Sequence, residues 1–156
     1  MTSGVRFINY NTNQIIAEED AIAAAINGMS SSNVGNLGKY AVVMTIDGGG
    51  GTPTTGVKGN IFVPWVSTIT RVTLLADISG SAVIDIWMIA YGSYPPTVSN
   101  SITASDLPTL SSAIKYQDST LTGWTTAVPA LSTLRFNLNS ASTLTQVVLI
   151  LEMTKN

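Results

Sequence analysis

From Tyr40 to Met153 the chain is a succession of short runs rich in Val, Ile, Leu and Thr, each closed by Gly, Pro, Asn, Asp or Ser. β-Branched side chains favour the pleated backbone, and turn residues at this density interrupt any helical periodicity. The runs predict strands at Tyr40–Ile46, Gly56–Val63, Ser67–Ala76, Ala82–Tyr91, Leu121–Thr126, Thr133–Asn139 and Leu144–Met153. The clearest hairpin joins Arg71–Ala76 to Ala82–Tyr91 through Asp77-Ile78-Ser79-Gly80-Ser81, and the last two strands meet in a tight turn at Asn139-Ser140-Ala141-Ser142. A longer excursion from Gly92 to Gln117 carries Pro95, Pro96 and Pro108, and Pro108–Lys115 reads as a helical turn or two. Short strands at this spacing with one long connection predict an all-β fold, a two-sheet sandwich that about eight strands would make a jelly roll.

The first 40 residues have a different pattern. Val5-Arg6-Phe7-Ile8 reads as a short strand, and Glu18 to Asn27 as a helix. Glu18, Glu19 and Asp20 stand at the positive end of its dipole, Ile22 and Ile26 share one face, and Gly28 is placed to stop it. A Ser/Gly/Asn connector follows, from Ser30 to Gly38. So short a helix is marginal alone and needs something to dock on. The predicted organisation is therefore an attachment arm with its linker over 1–39 and a β-sandwich over 40–156.

Alternation shows which strands are buried on more than one side. In Ala82–Tyr91, Ile84, Ile86 and Met88 form one face, and Val83, Asp85, Trp87, Ile89 and Tyr91 the other. A strand of a lone sandwich is apolar on one face only. Either a loop covers the second face or a second subunit does, which makes Val83, Trp87 and Ile89 candidate contacts of a trimer. The Leu144–Met153 strand has the same character. Composition favours association. Only 10% of the 156 residues are charged, 7 basic and 9 acidic for a net −2, where about 25% is usual. The polar surface must come from 20 Thr, 17 Ser and 11 Asn, neutral groups that do little to keep copies apart.

Several functions are excluded or disfavoured. The chain has no His and no Cys, which removes His-based triads, Cys nucleophiles, Cys/His zinc sites and disulfides. Seven scattered basic residues make no nucleic-acid footprint. The longest apolar runs, Ile86–Tyr91 and Val147–Leu151, are far short of the roughly 20 residues of a membrane-spanning helix. The N-terminus has no basic region followed by an apolar stretch, so it does not read as a signal peptide. Asp47-Gly48-Gly49-Gly50-Gly51-Thr52-Pro53 lacks the Lys of a phosphate-binding loop and reads as an inter-strand connection. Asp77 and Asp85, the nearest approach to a glycosidase pair, sit at a turn and well along a strand. A calcium site from Asp77 and Asp118 has no supporting spacing. No enzyme activity, metal or cofactor is expected. Among Trp65, Trp87, Trp124, Tyr91, Tyr94 and Tyr116, the tryptophans suit a core or a trimer contact. Tyr91-Gly92-Ser93-Tyr94-Pro95-Pro96 is the best candidate for a sugar-stacking loop, with Tyr91 and Tyr94 as the contacts.

From about Ile46 to Lys155 the sequence resembles a domain recurring in tailed-phage virion proteins. The resemblance is carried by Thr55-Gly56-Val57-Lys58-Gly59-Asn60, Val63-Pro64, Ile69-Thr70, Thr73-Leu74-Leu75-Ala76-Asp77, Ser79-Gly80-Ser81 and Asp85-Ile86-Trp87. It continues in Tyr91, Tyr94-Pro95-Pro96-Thr97, Leu121-Thr122-Gly123-Trp124 and Leu134-Arg135-Phe136-Asn137. It implies a jelly-roll module, commonly trimeric, in capsid decoration proteins, head fibres or tail fibres, and it names no catalytic residue. Where family members often carry Lys-Asp after the tryptophan, this chain has Met88-Ile89, which makes a polar site there doubtful and favours an interface. The implied function is a homotrimeric decoration or cement subunit on the capsid exterior, partnered with the major capsid protein or another virion protein, without nucleic acid or membrane. Val5, Phe7, Ile8, Ile22 and Ile26 of the arm are the candidate shell contacts. The alternative is the receptor- or glycan-binding tip of a tail fibre. The arm is short for a fibre shaft, which favours decoration.

Overall fold

The computed structural model describes residues 38–156. Seven strands occupy most of this length: β1 (Lys39–Asp47), β2 (Gly56–Val63), β3 (Ser67–Ala90), β4 (Thr109–Asp118), β5 (Ala127–Val128), β6 (Ser132–Ser142) and β7 (Gln146–Lys155). They form one antiparallel sheet in the order β1-β7-β3-β6-β2, with β4 and β5 on the remaining edge of β3. The domain is all-β, as the turn rhythm predicts.

The ladders show that strands follow one another end to end in rows. β3 is unbroken over 24 residues. Its first half pairs with β7, from Ser67↔Lys155 to Ala76↔Val147, and its second half with β6, from Ser81↔Ser142 to Ala90↔Ser132. β6 and β7 therefore make one row along β3. β1 against β7 and β2 against β6 make the outermost row. The other edge of β3 takes β4 opposite Val72–Val83, β5 opposite Ser67 and Thr68, and a single bridge from Ser101 to Trp87.

This broad sheet folds across its middle. Inward side chains of the first half (Val42, Ile46, Val72, Leu74, Leu149, Leu151) and of the second (Ile84, Ile86, Leu134, Phe136, Leu138) belong to one buried core. The halves touch directly, because a Cβ placed on Gly59 of β2 would stand 2.7 Å from Met44 Cε of β1. Each half buries its inner face, which is the arrangement of a sandwich. The fold line passes through Gly48 after β1, Asp77–Gly80 in β3 and Thr143–Thr145 between β6 and β7. At Gly80 a Cβ would stand 2.6 Å from Leu144 N and 2.7 Å from Ser142 O. Asp77 reaches across to the neighbouring row: its carboxylate accepts bonds from the Thr145 hydroxyl, Thr145 N (3.1 Å) and Gln146 N (2.9 Å). Those donors, the hydroxyl first, hold the Asp77 carboxyl down at about 2. Leu144, wholly buried, plugs the line from within.

Four expectations are corrected. The predicted Asp77–Ser81 hairpin does not exist; those residues bend β3 and let it continue. The expected tight turn at Asn139–Ser142 is strand, and β6 and β7 lie in line without pairing. Pro108–Lys115 is not helical, because Thr109–Asp118 is β4, which satisfies the free edge of β3. Leu121–Thr126 is not a strand. Asp118 accepts bonds from Thr120 N and Leu121 N to close a turn there, and pairing resumes only at β5. The predicted arm strand and helix lie outside the described residues.

Candidate functional site

On the outer face of the second half, alternation directs Asn60 and Phe62 of β2 outward beside Arg135 and Thr133 of β6, through the pairs Asn60↔Arg135 and Phe62↔Thr133. The next row places Trp87 opposite Arg135 and Ile89 opposite Thr133. The chain leaving β3 turns back over this face in two short 3-10 turns, Tyr91–Ser93 and Val98–Asn100. Tyr91 N donates to Leu131 O (2.9 Å), Tyr94 N to Tyr91 O (3.2 Å), and Thr97 N to Asn100 Oδ1 (2.9 Å).

The result is a groove of about 590 Å³ lined by Asn60, Phe62, Tyr91, Tyr94 and Thr133. Phe62, Tyr91 and Tyr94 stay 48%, 68% and 50% exposed. Their rings are nevertheless held. Phe62 and Tyr91 meet edge to face at 5.8 Å, and the Arg135 guanidinium lies 5.3 Å from the Tyr94 ring centroid. Arg135 donates to Asn60 Oδ1 (2.7 Å), Pro96 O (2.9 Å) and Tyr94 Oη (3.2 Å), tying two strands to the loop.

Beneath the same loop lies a buried carboxylate. Asp85 Oδ1 accepts bonds from Ile86 N (2.8 Å), Ser101 Oγ (2.7 Å) and Thr103 Oγ1 (2.8 Å), and Oδ2 from Trp87 Nε1 (2.6 Å). Every donor is accounted for by the fold, so Asp85 fastens the loop and has no free face for catalysis.

The structure brings Tyr91 and Tyr94 together at one groove, as the candidate sugar loop requires. Sequence reasoning did not find Phe62, Asn60, Thr133 or Arg135 as its neighbours. Asn60 and Arg135 stand within the motifs that carry the phage resemblance, and Phe62 is an aromatic on the solvent side of β2. Val83, Trp87 and Ile89 are half-buried on the outer face of β3, and Ser101 of the chain's own loop bridges to Trp87. Met88 packs against the core. Trp124 also leans on the core, with its indole N–H on Asp106 O (2.8 Å), while Trp65 is exposed under Lys155 Nζ at 4.7 Å. Asp77 and Asp85 occupy separate places, at the fold line and under the loop. Among the described residues no three acidic side chains gather to hold a metal ion. Val5, Phe7, Ile8, Ile22 and Ile26 lie outside the described residues.

No family model matches the chain, and no curated protein matches it. Among solved structures it is similar to a chain of the capsid asymmetric unit of cyanophage Pam1, at 12% identity and a TM-score of 0.32, over 78% of this chain and 89% of that one. It is also similar to a chain of infectious bursal disease virus, Gt strain, at 12% identity and a TM-score of 0.26 over 74% of this chain. It spans only 32% of that longer chain.

Proposed function

We propose that this chain is a structural subunit of a phage virion, a trimer-forming protein that decorates or cements the capsid shell and acts by binding, without catalysis or a cofactor. The observation that carries the reading is the outer face of the first half. Two cross-strand lines, Thr45–Val148–Leu75 and Val43–Ile150–Thr73, put four apolar side chains side by side over three rows. Val43 and Leu75 are 51% and 44% exposed. Contiguous apolar surface marks contact sites, and depletion of charge is what distinguishes the centre of an interface. The phage resemblance supplies the virion context and the trimeric habit. Because the chain's own loop already bridges to Trp87 through Ser101, and Val83 and Ile89 are half-buried, the proposed main contact between copies moves from Val83, Trp87 and Ile89 to the Val43–Leu75–Val148–Ile150 face. The arm, with Val5, Phe7, Ile8, Ile22 and Ile26, is the proposed shell contact. A tail-fibre tip is the second reading, favoured by the exposed aromatic groove.

Sedimentation of the full chain at micromolar concentration tests the assembly. A species of about three times 16.4 kDa is expected, and Val43→Asp with Ile150→Asp should reduce it to the single-chain mass. A monomer throughout would refute the trimer. Full-length protein should bind shells stripped of it, and deletion of 1–38 should abolish that binding. Equal binding by both forms would place the anchor in the β domain.

A further inference from the structure

We infer that the Phe62–Tyr91–Tyr94 groove is a carbohydrate-binding site that takes a pyranose ring, whether the chain serves on a shell or a fibre. Three aromatic rings, each about half exposed or more, on one concave surface are costly to leave in water. They are not unfinished core, because each is fixed by contacts within the chain: Phe62 by its strand, Tyr91 by Phe62 and Leu131, Tyr94 by Arg135. Rings already held lose little freedom when a ligand stacks on them.

The chemistry of the lining selects the occupant. A pyranose offers a face of C–H groups for the rings and an equatorial belt of hydroxyls for polar groups at the edge. The groove supplies both. Asn60 gives its carbonyl oxygen to Arg135, which has only donors to offer, and so its amide N–H groups are turned to donate elsewhere. The Tyr94 hydroxyl accepts from Arg135 and keeps its own proton to donate. No carboxylate lines the groove, which argues against a metal ion or an amine. The nearby cation, Arg135, is shared among three neutral oxygens of the chain, a poor posture for gripping a phosphate. The apolar tract proposed for contacts between copies lies on the other half and shares no residue with the groove.

The test uses the full chain and aromatic-region NMR, with maltotriose, chitotriose and a uronic-acid trisaccharide as separate probes up to tens of millimolar. At least one should move the ring signals of Tyr91 and Tyr94 saturably. Tyr91→Ala and Tyr94→Ala should each weaken binding at least tenfold, while Tyr91→Phe and Tyr94→Phe, which keep the ring, should stay within a few-fold. An unchanged far-ultraviolet spectrum and melting curve show that the alanine variants are folded. No shift with any probe overturns the inference, as does a shift that survives in the double alanine variant. Movement of the same signals by a proline-rich peptide alone would assign the groove to a peptide and overturn it too. Sedimentation reports on assembly separately, so a failed sugar test leaves the proposed trimer standing, and the reverse.

Discussion

At the scale of single residues, two aspartates do opposite jobs with the same group. Asp85 is buried and takes four donors, two from its own strand (Ile86 N and the Trp87 indole) and two from the Ser101–Thr103 segment. Asp85→Ala leaves the buried Thr103 hydroxyl without its acceptor and takes the same partner from the half-buried indole N–H and Ser101 hydroxyl. It should cost about 3 kcal/mol, seen as a lower urea midpoint with little change in slope. Asp77 is solvent-exposed and holds the fold line through Thr145 and Gln146. Its carboxyl is depressed in the fold from 3.8 to about 2. The sign follows from linkage: the contribution of Asp77 is complete above the ordinary value of 3.8 and is lost as pH falls through about 2. Asp77→Asn should therefore melt lower than the parent at neutral pH, and the two curves should converge toward pH 2. A gap that stayed constant with pH would show that ionisation of Asp77 is irrelevant to the fold line.

At the scale of elements, the fold line is the feature on which the two halves depend. Gly80→Ala drives a methyl into backbone atoms of Ser142 and Leu144 that cannot turn aside, and should cost about 1–3 kcal/mol. Gly59→Ala meets only the flexible end of Met44 and should cost clearly less by the same urea titration. This region also marks where the sequence misleads. Gly56–Val63 is legible to the residue because its β-branched run is bounded by Gly and Pro. Asp77-Ile78-Ser79-Gly80-Ser81 has the composition of a hairpin, yet the strand runs on. The short polar side chain and the glycine serve a bend across the sheet instead of a reversal within it, and local chemistry does not distinguish the two. β4 was hidden for a related reason, since only the unpaired edge of β3 makes a strand of Thr109–Asp118. The groove was half legible. Tyr91 and Tyr94 announce themselves as loop aromatics. Phe62, Thr133 and Arg135 join them only through the register of β2 on β6, which sequence spacing does not contain.

At the scale of the whole molecule, the row architecture settles how the chain must find its fold. Among the described residues β3 and β4 are the only consecutive strands that pair, and a long excursion, not a tight turn, joins them. The nearest partners between named strands are Val83 and Thr109, and the farthest, Lys39 and Thr154, join almost the two ends of the described chain. Every ladder thus waits on the closure of a large loop before its bonds repay the lost entropy. Such topologies fold in milliseconds to seconds, where chains of local contacts need microseconds. Stopped-flow refolding of the Trp signal should be correspondingly slow, and its yield should fall as concentration rises, because unpaired rows of this weakly charged chain find one another during the delay. The same edges that close the native sheet late are, until then, open to any neighbouring copy.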